Sequence, residues 1–132
     1  MTPPAYMACG LVAGKSCNNS AYHTLVGSIE GMIFVYSTVK DQAEAEMLAA
    51  LLVERRLAAC VNMWPIRSTY MSRNGVEKVN EYAILAQSTE SKFQQIEDLI
   101  HMHHSERVPC VAGFEVRRIN HEFKEWLVEC LG

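Results

Sequence analysis

The densest run of ligating side chains is His101-Met102-His103-His104, with Cys110 just past Pro109. On a helix, positions 101 and 104 lie three residues apart and share a face. Two imidazoles with a soft thiolate or thioether nearby suit copper or zinc. The same residues also have plainer roles. His103 falls on an apolar stripe and can be a packed core histidine, and any of the three can complement the negative end of a helix. A second polar group is Ser68, Tyr70 and Glu81, which a hairpin would bring face to face. Hydroxyls beside a carboxylate can form the wall of a ligand cleft, or simply pair across strands at a sheet edge. The remaining acidic residues fall mostly at helix-surface positions and read as a solvated face.

Other chemistries lack their sequence signatures. Neither G-x-G-x-x-G nor G-x-x-x-x-G-K-[ST] occurs, so nothing in the sequence calls for an organic cofactor, and no G-x-S-x-G elbow presents a nucleophilic serine. With 12 basic and 15 acidic residues the net charge is −3, which provides no basic field for a nucleic-acid partner. No apolar run approaches the roughly 18–20 residues needed to span a bilayer, so no membrane association by a spanning helix is expected. Five cysteines, at 9, 17, 60, 110 and 130, are odd in number, widely spaced and free of C-x-x-C. That argues against a disulfide framework or a thiolate zinc site. Cys60 and Cys110 lie in apolar stretches and read as small buried hydrophobes in a reducing, cytoplasmic setting.

The elements that must position these groups begin at Met32. Residues 1–31 read as a poorly ordered arm or leader, holding two charges (Lys15 and Glu30) and much Ala, Gly, Ser and Asn. Ala5–Gly14 has the length of a signal-peptide core, but Lys15 follows the run instead of preceding it, so targeting stays open. Asn18-Asn19-Ser20 matches the glycosylation pattern, which is common by chance. Residues 32–132 form the ordered domain. Met32–Thr38 is a short apolar run suited to a strand covered on both faces. Asp41 can cap a helix whose Ala45, Leu48, Ala49, Leu52 and Val53 form the inner stripe, with Glu44 and Glu54 outward and Arg55-Arg56 at the end. Ala58–Met63 and Ile66–Ser72 read as a strand with Pro65 at a bulge or edge. Asn74-Gly75 signals a hairpin turn into Val76–Gln87. Ser88–Thr89 starts a second helix carrying Phe93, Ile96, Ile100 and His103, which Pro109 stops from continuing. Val111–Arg117 is the fourth strand, and Asn120 can cap a last helix with Phe123, Trp126, Leu127 and Cys130 inward.

The resulting order, βαββαβ plus a C-terminal helix, predicts an α+β, ferredoxin-like antiparallel sheet. Its two crossing helices cover one sheet face. A long hairpin and a half-covered sheet in so small a domain point to self-association.

Within this order of elements, Ala58-Ala59-Cys60-Val61-Asn62, followed by Pro65 and Ser68-x-Tyr70, resembles the signature of the divalent-cation tolerance proteins, CutA. The similarity runs through Asp41–Arg56, the His104…Val108-Pro109 junction and Asn120…Phe123…Trp126-Leu127, roughly residues 32–131. The resemblance implies a homotrimer whose hairpin strands pair between subunits, a role in tolerance to copper and other divalent cations, and no catalytic reaction. It implies metal ligands at a His-His pair, here His103 and His104, and at a Cys whose position is Ser37 in this chain. Further departures are Ser72, Gln87 and Glu106, where the family carries Trp, Lys and Tyr. They fall around the subunit cleft more than in the core, as in a diverged member. Three functions then compete: a trimeric protein of the metal response binding Cu²⁺ or another divalent cation, a small-molecule sensor or partner-binding scaffold on the analogy of PII proteins, and an enzyme such as an acylphosphatase. The last is disfavoured, because the first strand leads into Val39-Lys40-Asp41 with no glycine-rich loop.

Overall fold

A computed structural model describes residues 31–132. Strand β1 (Met32–Val39) leads through helix α1 (Gln42–Glu54) to a long hairpin, β2 (Cys60–Ser72) and β3 (Gly75–Thr89). Helix α2 (Phe93–His103), strand β4 (Val111–Glu115) and helix α3 (His121–Leu131) follow. The sheet order is β2-β3-β1-β4 with every neighbouring pair antiparallel. This is the predicted α+β, ferredoxin-like arrangement. The arm, Cys9, Cys17 and the Asn18-Asn19-Ser20 pattern lie outside the described residues.

Period-2 alternation decides which sheet face is inner. In β1, Ile33, Val35, Ser37 and Val39 are buried on the helix-covered side. Ala45, Leu48 and Leu52 of α1 and Ile96, Leu99 and Ile100 of α2 join them in the main core, with Ile84 and Ala86 of β3. On the opposite face α3 lays Trp126, Leu127 and Leu131 over Met32, with Phe34 and Cys60 packed alongside. α3 covers only that end. Farther along, Trp64 and Val79 remain exposed, as do Tyr70, Met71 and Val76 near the hairpin tip.

Several local expectations are corrected by the tertiary structure. Strand β2 runs unbroken through Pro65, which sits opposite Tyr82 in continuous register, so there is no bulge. β2 is an edge strand, where a missing N–H can be tolerated. Ser88 and Thr89 do not start a helix. They extend β3 opposite Ile33 and Met32, and the Ser88 hydroxyl donates to the buried Leu57 carbonyl at 2.6 Å. A single 3₁₀ turn, Glu90–Lys92, then leads into α2. Glu44 points inward, not outward, while Val53, expected inside, is exposed. The Asp41 cap forms as expected, accepting from the Glu44 N–H at 2.9 Å. Asn120 precedes α3 but makes no side-chain cap; its carbonyl accepts from the Lys124 N–H at 3.2 Å. β4 ends at Glu115, short of Arg117.

Helix α1 ends in a Schellman arrangement. The Leu57 N–H reaches the Leu52 carbonyl at 2.9 Å and the Arg56 N–H reaches Val53 at 3.0 Å. Arg56 holds the left-handed position, φ 56°, that glycine usually fills. The tight turn lets the chain enter β2 directly beneath the helix.

Candidate functional site

The histidine run is divided by the end of α2. His103 is the last helical residue, and His104 has extended backbone, φ −81° and ψ 142°. The expected common face for His101 and His104 therefore does not form. His101 stays at the surface, 3.9 Å from Glu97. The His103 ring turns inward, leaving its Nε2 buried without a hydrogen-bond partner. The His104 side chain is 2% exposed and crosses to the end of β1.

The protonation of His104 follows from its neighbours. The Glu106 N–H can only donate, and it meets Nδ1 at 2.9 Å, so Nδ1 accepts. Nε2 then carries the hydrogen and donates to the Thr38 carbonyl at 2.7 Å. Glu44 Oε1 lies 3.6 Å from Nδ1. With that ring neutral the contact is not an ion pair, and the carboxylate is held instead by the Ser105 N–H at 3.0 Å and the Ser105 hydroxyl at 3.2 Å. The second oxygen of Glu44, Oε2, is buried with no partner. Glu44 is thus the central residue of this region that sequence periodicity places on the wrong side. The signal for it is Ser105 just past the helix, a donor pair whose target lies 61 residues earlier.

His104 and Glu106 open onto a cleft of about 640 Å³, also lined by Lys40, Ser68, Tyr70, Glu81 and Cys110. All three expected hairpin residues therefore share one cavity with His104. The register explains this. Ile66 faces Glu81, Ser68 faces Val79 and Tyr70 faces Glu77, all on one side of the hairpin. The Ser68 hydroxyl donates diagonally to Glu81 Oε1. Tyr70 does not pair with Glu81; its hydroxyl donates to Glu77 Oε2 at 2.8 Å. That bond, the Glu77 charge, some desolvation and the charges of Glu106 and Glu81 push the Tyr70 phenol above its ordinary value.

The cysteines differ from the expectation of burial. Cys110 is exposed in the cleft and Cys60 is half-buried. Burial pushes the Cys60 thiol up. Ser37, the position at which the resemblance calls for a cysteine, is fully buried on the inner face, and its hydroxyl has no partner. A neutral hydroxyl is a poorer ligand than a thiolate for a soft cation. Among the described residues no group of three or more His, Cys, Asp or Glu side chains is arranged to hold a metal ion.

Split βαβ topology, an open cleft beneath the hairpin and a histidine-rich junction after α2 define the chain as a ferredoxin-like domain with a ligand-sized site at its hairpin base. The family model for the CutA1 divalent ion tolerance protein matches residues 33–130. The chain belongs to the CutA family. It is 34% identical over 96 residues to the divalent-cation tolerance protein CutA of Archaeoglobus fulgidus, covering 73% of this chain and 94% of that one. To its Thermus thermophilus counterpart it is 32% identical over 99 residues, covering 74% and 96%. The solved structure of the periplasmic divalent cation tolerance protein CutA from Archaeoglobus fulgidus superposes with a TM-score of 0.75 at 33% identity, over 76% of this chain and 99% of that chain. Rice CutA1 does so with a TM-score of 0.74 at 29% identity, over 76% and 93%.

Proposed function

We propose that this chain is a homotrimeric protein of divalent-cation tolerance that takes up cations, copper among them, as cargo and catalyses no reaction on them. The observation that carries the assembly is the sheet face that α3 leaves open. Trp64 and Phe114 are exposed on it, beside an unpaired β2 edge. Apolar surface next to free strand edges is stabilised by burial against further copies of the chain. The cation role is supported by the relatives, which are named for divalent-cation tolerance.

His103 and His104 are the proposed ligands. His103 supplies a buried, unpartnered Nε2. His104 can supply Nδ1 only by giving up the Glu106 N–H, a cost of about 1 kcal/mol. Water or a neighbouring copy completes the coordination. Native mass spectrometry of the full chain titrated with Cu²⁺ and Zn²⁺ tests both parts. A trimer with a fixed number of ions per subunit, lost in His103→Ala/His104→Ala, is the expected result. A monomer, or unchanged uptake by the double variant, would remove the corresponding part. Cys9 and Cys17 are replaced by serine in parallel, so that thiolate uptake by the first thirty residues is not mistaken for the histidine site.

A second reading, a small-molecule site, is favoured by the cleft itself. Its volume of about 640 Å³ lies within the range that holds small ligands.

A further inference from the structure

The cleft has a definite chemical character. Among the described residues that line it, Lys40 is the one cation, against the carboxylates of Glu81 and Glu106. A third carboxylate, Glu77, stands directly opposite Tyr70 and is bonded to its hydroxyl. His104, which also lines the cleft, has both ring nitrogens engaged, Nδ1 accepting from the Glu106 N–H and Nε2 donating to the Thr38 carbonyl. Between the charged groups the walls are apolar, from Val79, Val108 and Pro109. The Glu77 hydrogen bond first, and more weakly the charges of Glu106 and Glu81, push the Tyr70 phenol upward.

Two features separate this site from a metal centre. No three ligating side chains converge among the described residues. The Glu81 carboxylate already accepts from Ser68, and the backbone of Glu106, though not its carboxylate, is tethered to the buried ring of His104. A compact divalent ion needs several oxygens closing around one point. An ammonium group needs acceptors on one side only, and an attached carbon skeleton can bury itself against Val79, Val108 and Pro109. The exposed ring of Tyr70, its hydroxyl occupied by Glu77, is free to present a face to a cation.

We propose that the cleft between the β2–β3 hairpin and the junction after α2 binds a small organic ammonium ion, its charge between Glu81 and Glu106 and its apolar body against Val79, Val108 and Pro109. The proposal rests on the small-molecule reading of this cleft, and cation uptake at His104 Nδ1, which releases the Glu106 N–H, would compete with it. His104 acts as a positioning residue, fixing the backbone of Glu106.

The test is a titration of the isotope-labelled full chain followed by amide NMR. The probes are 2-phenylethylammonium, its neutral analogue 2-phenylethanol, its charge-reversed analogue 3-phenylpropionate, and Zn²⁺. The expected result is that 2-phenylethylammonium alone among the organic probes shifts the amides of Ser68, Glu81 and Glu106. Its affinity should fall about tenfold in either Glu81→Gln or Glu106→Gln, as for loss of one charge-assisted hydrogen bond. Both variants keep an acceptor at the position, and unchanged amides in α1 and α3 report that they fold. Equal binding of the neutral analogue, or a preference for the carboxylate, overturns the ammonium assignment while leaving the cleft a ligand site. Displacement of 2-phenylethylammonium by equimolar Zn²⁺ in a chain carrying His103→Ala also overturns it, by making the cleft a metal site. No shift at those amides with any probe overturns both the assignment and the small-molecule reading beneath it.

Discussion

The ring of His104 lies 2.7 Å from the carbonyl of Thr38, a residue 66 positions earlier in the chain. This one contact ties the end of α2 to the end of β1. Through the other ring nitrogen it also sets the backbone of Glu106 at the cleft. Replacing His104 by alanine removes the bonds to the part-buried Thr38 carbonyl and the Glu106 N–H and opens a void. His104→Ala should lower stability by about 2–4 kcal/mol, measured by urea unfolding. A loss below about 0.5 kcal/mol, the size of an ordinary surface substitution, would show that the ring does not hold the junction.

Glu44 should depend on shape and hydrogen bonding more than on charge. Its Oε1 accepts two bonds from Ser105, and it is 6% exposed. Glu44→Gln keeps an acceptor there and should cost no more than about 1 kcal/mol. Glu44→Leu strands the Ser105 N–H and should cost about 2–3 kcal/mol. Thermal unfolding of the two variants at equal protein concentration separates them, and equal losses would refute the assignment.

Gly113 admits no side chain without movement. A Cβ built there lies 3.0 Å from the Phe93 ring. Gly113→Ala should therefore destabilise by about 1–3 kcal/mol as an overpacked site. In the double variant Gly113→Ala/Phe93→Leu the losses should be less than additive, since the smaller side chain relieves the contact. Strict additivity in the cycle would show that the ring is not the obstacle.

Arg56 occupies a left-handed conformation, φ 56°. Glycine adopts it without the Cβ penalty, so Arg56→Gly should raise stability by about 0.5–1 kcal/mol despite the added freedom of the unfolded chain. A lower midpoint in chemical denaturation would mean that the arginine side chain contributes more than its backbone costs.

Tyr70 provides a pH signature. The Glu77 hydrogen bond leads the causes that raise its phenol above the ordinary value of 10.0. A raised value means that the folded state holds this proton longer than the unfolded chain. The associated stability is present below the ordinary tyrosine value and is lost as pH rises through the folded one. The difference between wild-type and Tyr70→Phe ultraviolet titrations should show a tyrosine ionising above pH 10. Glu77→Gln should bring that step down toward the ordinary value. No change in the variant would place the cause elsewhere.

Much of this molecule is legible in its amino-acid order. The Ala45, Leu48, Ala49, Leu52 stripe, the Asp41 cap and the apolar run from Met32 specify α1 and β1 by local periodicity and hydrogen bonding, which need no distant partner. The alternation that sets Ser68, Tyr70 and Glu81 on one face of the hairpin is also local, and all three line the cleft. The actual partner of Tyr70 is not legible there, because the choice between Glu77 and Glu81 depends on a register fixed by the whole β2–β3 ladder.

The order of elements, the amphipathic stripes and the membership of a known family can be read directly from the amino-acid order, since each is written in short-range spacing and residue type. Which polar groups go inside depends instead on contacts between distant parts of the chain. Glu44 and Glu54 both fall outside the apolar stripe of α1, yet Glu44 is buried because Ser105 supplies two donors beside it, and Glu54 stays in solvent. Ser88 belongs to a strand because its hydroxyl finds the Leu57 carbonyl. His104 leaves the helix because Thr38 and Glu106 offer it two bonds at once. Most buried polar groups keep at least one hydrogen-bond partner. The partners Leu57, Ser105 and Thr38 lie 31 to 66 residues away, beyond the reach of any periodicity.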